Sequence, residues 1–178
     1  MKLDKITNVA VIVAALFVIG TGIWDRFSAR PSPAQASVQQ LVGKTLPLPA
    51  SMNTGDAAAL VFFVSKNCHY CSDSMPFYRR LAELRDHGSK GFKLLALAPS
   101  GRETGADMQA YFAQNRIALD AAGEMQFAAI GVSGTPTVAL VDGSRRVLAV
   151  WLGKLSTDKE SELISKVKGV CPSCKGGA

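Results

Sequence analysis

Hydrophobic positions divide the chain into short, wholly apolar runs and longer segments of helical period. Leu60 to Val64 is an unbroken run of apolar, β-branched and aromatic residues of strand length, the pattern of a strand covered on both faces. Phe77, Leu81 and Leu84 then recur at i, i+4 and i+7 with Arg79, Arg80, Glu83 and Arg85 between them, which predicts an amphipathic helix ending near His87 and Gly88. Leu94 to Ala98 reads as a second buried strand, and Met108, Tyr111, Phe112 and Asn115 carry helical spacing through residues 105–116. A short helix is expected around Glu124 to Ile130. Beyond it, Val138 to Val141 and Val147 to Trp151 flank the Asp-Gly hairpin signal at Asp142 and Gly143. Residues 156–169 begin with Ser and Thr suited to an N-cap, continue as a charged helix and close at Gly169. Pro47 and Pro49 confine residues 41–50 to an extended entry at an edge or in a loop. The order strand, helix, strand, helix, hairpin, helix predicts an α/β fold. Its central mixed sheet is parallel in the first half, antiparallel at the hairpin and flanked by helices on both faces.

The N-terminal stretch does not fit this scheme. Val9 to Trp24 is uncharged and almost wholly apolar, long enough just to cross a bilayer, and Lys2 and Lys5 precede it. The expectation is a single N-terminal transmembrane helix with the following domain on the extracytoplasmic side. A cleaved signal peptide ending at the small-residue site Ala34-Gln35-Ala36 is the alternative. Either way the domain is exported, and the Pro/Ser/Ala stretch "ARPSPAQAS" at residues 29–37 reads as a linker. The expected division is therefore an anchor and linker over 1–36, a globular domain over 37–170 and a cysteine-containing tail over 171–178.

Composition narrows the function classes. The chain has 178 residues, 48% of them hydrophobic, enough for one domain with a real core. Its net charge of +6 is scattered, and no run of five or more Lys or Arg occurs, so a nucleic-acid footprint is not expected. Four cysteines fall in two Cys-x-x-Cys pairs, Cys68/Cys71 and Cys171/Cys174. In an exported domain such pairs are read as disulfides before metal ligands. Cys68 stands where a buried strand gives way to a helix, so unpaired backbone N–H groups and the helix dipole favour its thiolate. Cys71 follows by three residues, near enough to form a disulfide with Cys68 or to resolve a mixed one. His69, when protonated, would add charge beside Cys68; the other reading is an exposed residue without consequence. Thr135-Pro136 opens the Val138 strand, where proline fits a rigid turn.

The span from about Val42 to Lys168 resembles the thioredoxin-like superfamily, and within it the membrane-anchored, exported TlpA-like proteins. The resemblance rests on "LVFFV" at residues 60–64, Cys68-x-x-Cys71, Pro76 five residues after the second cysteine, and "GVSGTPTVALVDG" at 131–143, with Gly153 after the last strand. It implies a thioredoxin-like fold in which Cys68 attacks and Cys71 resolves. It further implies that Pro76 bends the first helix and that a cis Pro136 faces the cysteines. Thr135 would pair its backbone with an extended substrate segment, next to His69 and Tyr70. The 64 residues from Ser72 to Thr135 suit the extra helix and strand of TlpA-like proteins. Two departures stand out: Asn67 occupies a place where many relatives have Trp, and no Asp or Glu lies between Ala57 and Cys71, where thioredoxins bury an acid.

The implied activity is thiol–disulfide exchange on protein substrates, more in the sense of a reductase. Its redox group is the Cys68–Cys71 disulfide itself, with no separate cofactor. The expected partners are protein thiols and disulfides and a membrane or exported redox partner. A metal-binding or metallochaperone module using Cys68, Cys71 and His69 is the second reading. Cys171 and Cys174 are open between a second redox pair, a structural disulfide, and half of a four-cysteine metal site.

Overall fold

The computed structural model describes residues 32–52, 54–87 and 91–171. A five-stranded sheet organises them. Its strands are β1 (Ala58–Phe63), β2 (Phe92–Pro99), β3 (Ala121–Met125), β4 (Thr137–Val141) and β5 (Val147–Leu152), in the order β3-β2-β1-β4-β5. β2 pairs parallel with both β1 and β3, whereas β4 pairs antiparallel with β1 and β5. The helices are α1 (Pro33–Gln39), α2 (His69–His87), α3 (Gly105–Gln114) and α4 (Thr157–Val170), with a 3-10 turn at Phe127–Ile130. The mixed sheet and the helix following β1 are as expected from the hydrophobic pattern.

Every residue of β1 is buried, and its two faces feed two separate cores. Leu60 and Phe62 pack with Leu94, Val138 and Leu140 beneath Tyr78 and Leu81 of α2, Phe112 of α3, and Leu163 and Val167 of α4. Val61 and Phe63 point the other way, with Leu95, Leu97, Ala139 and Val141, against Val38, Leu41, Leu46, Leu48 and Met52. The period-2 alternation of a strand thus explains why an unbroken apolar run is needed here. The three long helices share one core. The opposite face is covered by α1, the 3-10 turn and the chain between residues 41 and 52.

That second layer corrects the reading of the entry segment. Residues 33–39, the first four of which fall in the expected anchor and linker over 1–36, form a helix whose first residue is Pro33, a position where the missing N–H costs nothing. The helix is tied down by Ser37 Oγ, which donates to Gly131 O at 3.0 Å, and by Gln39 Nε2, which donates to Val150 O at 3.1 Å. Further on, Gly43 N donates to Val147 O (2.8 Å) and Val147 N to Lys44 O (2.9 Å), so this segment also occupies pairing groups of the edge strand β5.

Three smaller differences follow from tertiary context. β3 was not anticipated at 121–125; "AAGEM" has little intrinsic strand preference, and its pairing with β2 (Leu95 with Ala121 through Pro99 with Met125) is what makes it a strand. The helix expected from Glu124 is confined to the 3-10 turn Phe127–Ile130. α4 runs through Gly169 to Val170 and is capped at Cys171. At the hairpin, the left-handed residue is Arg145 (φ 65°), while Gly143 is required for space: a Cβ there would stand 2.5 Å from Asp56 O.

The expected membrane anchor, Val9 to Trp24, lies outside the described residues. Among the described residues no helix is long and apolar enough to cross a membrane.

Candidate active site

The site forms where β1 runs out. Val64 N still donates to Leu97 O (3.1 Å), and the next three residues, Ser65 to Asn67, turn into α2. Cys68 immediately precedes the helix, and its carbonyl accepts from Cys71 N (3.0 Å) and Ser72 N (3.2 Å). Its sulfur therefore sits at the positive end of the helix, half-buried, while Cys71 in the first turn is fully buried. Both are free thiols. Pro76 lies inside α2.

Far along the chain, the Thr135-Pro136 peptide bond is cis. Thr137 Oγ1 donates to Gly134 O (2.7 Å) and Gly153 N to Pro136 O (2.7 Å), which fixes this turn between β4 and the residue after β5. The turn meets the cysteines directly: Cys68 Sγ donates to Thr135 O at 3.4 Å.

The two thiols have opposite electrostatics. Burial opposes ionisation of Cys68, yet hydrogen bonds to the thiolate from the Cys71 thiol, the Thr135 hydroxyl and the Cys71 and Tyr70 backbone N–H groups outweigh it, so its pKa lies below the ordinary thiol value. Burial, reinforced by the bond it gives to Cys68, pushes the Cys71 thiol up to about 12. The arrangement provides an accessible sulfur that ionises more readily than an ordinary thiol and, behind it, a thiol held neutral.

Of the other expected neighbours, Tyr70 is 60% exposed at the rim. The His69 side chain is 82% exposed, and its Nε2 lies 3.7 Å from Asp73 Oδ2, which accepts from Lys154 Nζ at 3.0 Å. Cys171 is buried and disulfide-bonded, and Cys174 lies outside the described residues. A disulfide sulfur is not a thiolate ligand, so Cys171 in this state cannot join Cys68 and Cys71 around a metal. Among the described residues no group of three or more His, Cys, Asp or Glu side chains is placed to hold one.

Two residues of the site escaped the sequence reading. Glu103, only 3% exposed, accepts from Ser65 Oγ (2.9 Å) and Lys66 N (3.1 and 3.2 Å), clamping the turn that presents Cys68. It is a buried carboxylate from the loop after β2, and Phe62 in β1 is instead packed at 4.4 Å against the Tyr78 ring. Arg102 borders a groove of about 450 Å³ that opens beside Cys68, between Ser65, Asn67 and the Ser133–Thr135 segment, with Phe127 and Val132 as apolar lining. The local signal that could have drawn attention to this loop is the capping box of Thr104 and Asp107, which starts α3 one residue after Glu103.

Comparison with known proteins agrees with this geometry. A protein described as a thiol:disulfide interchange protein DsbE from Chlorobium tepidum superposes with a TM-score of 0.53 at 19% identity, covering 65% of this chain and 81% of its own. A thiol-disulfide isomerase from Corynebacterium glutamicum gives a TM-score of 0.53 at 13% identity, covering 70% and 88%. At these identities the likeness establishes the thioredoxin-like fold. No curated protein matches the chain in sequence. The model of the Redoxin family matches residues 34–167. With most of its length inside that match, the chain belongs to the Redoxin family and is a thioredoxin-like oxidoreductase.

Proposed function

We propose that this protein is an exported, membrane-tethered thiol–disulfide oxidoreductase that reduces disulfides in protein substrates. The observation that carries the reading is the asymmetry of the cysteine pair: Cys68 is reachable and thiolate-favouring at the edge of an open groove, and Cys71 is buried and held neutral behind it. The Cys68 thiolate attacks one sulfur of a substrate disulfide, forming a mixed disulfide and releasing the other substrate sulfur as a thiolate. Cys71 then loses its proton to that departing side and attacks the Cys68 sulfur. The Cys68–Cys71 disulfide forms, the second substrate thiol leaves, and two electrons have passed from protein to substrate. An exported dithiol donor would return the pair to its reduced state. Export and tethering are supported by the apolar stretch Val9 to Trp24 behind Lys2 and Lys5, and the reductive direction by the TlpA-like resemblance.

In this scheme a Cys71→Ser protein accumulates disulfide-linked partners on non-reducing gels and a Cys68→Ser protein accumulates none. If both variants exchange disulfides as fast as the parent, the assignment is wrong. For the reductive direction, equilibration with glutathione should give a potential nearer about −270 mV, as in thioredoxin, than about −120 mV, as in a strong oxidant.

A further inference from the structure

The groove beside Cys68 has a charge asymmetry that thiol exchange alone does not require. Its lining is apolar or uncharged at Ser65, Asn67, Phe127, Val132 and Thr135, and Arg102 is the one Lys, Arg, Asp or Glu among its described lining residues. The main chain of Arg102 is set by a turn: Gly101 has φ 77°, and Arg102 N donates to Pro99 O at 3.3 Å. Its guanidinium is exposed and makes no hydrogen bond or ion pair with any of the described residues.

The nearby charges are otherwise engaged. Glu103 faces inward onto Ser65 and Lys66 N, and Lys66 Nζ is bound by Asp107 Oδ1 at 2.8 Å. Arg102 is thus left as a cation with five donors on the wall of the groove that Cys68 also lines. The planar fork of a guanidinium matches a carboxylate through two parallel hydrogen bonds, a geometry that an ammonium does not reproduce.

We propose that Arg102 is a specificity-determining residue, selecting polypeptide disulfides whose cysteine lies within a few residues of an Asp or Glu. This rests on the thiol-exchange reading above and adds the substrate class. The peptide would lie extended, its sulfur at Cys68, an uncharged side chain against Phe127 and Val132, and its carboxylate on Arg102. Arg102 touches neither sulfur and works through substrate affinity, so its contribution appears as discrimination between substrates.

The test uses the full-length reduced protein in a non-ionic detergent and single-cysteine peptides activated as 2-pyridyl disulfides, with Glu, Gln or Lys placed two or three residues from the cysteine. Cys68 attacks the peptide sulfur and pyridine-2-thione leaves with the electron pair. Cys71 then displaces the peptide thiol, so one dithiol is oxidised per peptide released. Each rate is divided by the same protein's rate with uncharged 2,2′-dithiodipyridine, which reads the intrinsic reactivity of Cys68.

The Glu peptide should react about three- to tenfold faster than the Lys peptide, a preference that shrinks at high salt. Arg102→Gln should remove it and Arg102→Glu should reverse it. An undiminished preference in Arg102→Glu, or variants that slow the peptide and dithiodipyridine reactions in equal proportion, would overturn the proposal. A parent protein that reacts with every peptide without regard to charge overturns the selectivity alone. One that fails to react with dithiodipyridine overturns thiol exchange as well.

Discussion

At the scale of single residues, the site depends on two sulfurs three positions apart being made chemically unlike. The same helix turn that bonds the Cys68 thiolate through backbone N–H groups carries Cys71 into the core, where ionisation is penalised. The sign of each shift sets a pH profile. A lowered pKa means that the Cys68 thiolate is populated at lower pH than an ordinary thiol, and a raised one means that Cys71 stays protonated through the whole working range. Iodoacetamide should therefore label Cys68 of the reduced protein with a midpoint below that of a cysteine in the denatured chain, and leave Cys71 unmodified until far more alkaline pH. Mass spectrometry after timed quenching would show this, and equal labelling of both residues at neutral pH would contradict it. The cysteine spacing and Thr135-Pro136 were legible in the sequence because each is a local signature. Glu103 was not, since the atoms it binds, Ser65 Oγ and Lys66 N, are separated from it by 38 and 37 positions.

At the scale of elements, hydrophobic period located the strands and helices that are self-sufficient in pattern: β1, β2, α2, α3, β4, β5 and α4. The missed pieces have weak patterns of their own. "PAQASVQ" buries only Val38, and "AAGEM" buries no residue fully. What orders them is a partner far along the chain: Gly131 and Val150 for α1, and the free edge of β2 for β3. The second core layer built by residues 33–52 yields a stability prediction. Leu46 is 1% exposed beneath the sheet, so Leu46→Ala should lower unfolding free energy by about 2–5 kcal/mol in a denaturant titration. A cost near zero would mean that this segment is the loose connection that its prolines suggested.

At the scale of the whole molecule, the described residues from Pro33 onward form one compact unit. If the N-terminal stretch is an anchor, the full chain should sediment with membranes and resist alkaline carbonate, while a chain lacking residues 1–32 should stay in the supernatant. Release of the full chain by carbonate, or a mature N-terminus at Ser37 found by mass spectrometry, would favour the cleaved signal instead.

Fold class and the closeness of Cys68 and Cys71 could be read from the chain because they follow from short-range rules: alternating or unbroken apolar runs, a helix start beside a thiol, and a proline at the head of a strand. The company the cysteines keep could not. Which buried acid clamps the Ser65–Asn67 turn, which cation borders the groove, where His69 points and what covers the second face of the sheet are contacts between residues tens of positions apart. Such contacts exist only once the burial of both sheet faces has brought the loop after β2, the turn before β4 and the N-terminal segment to the same sheet.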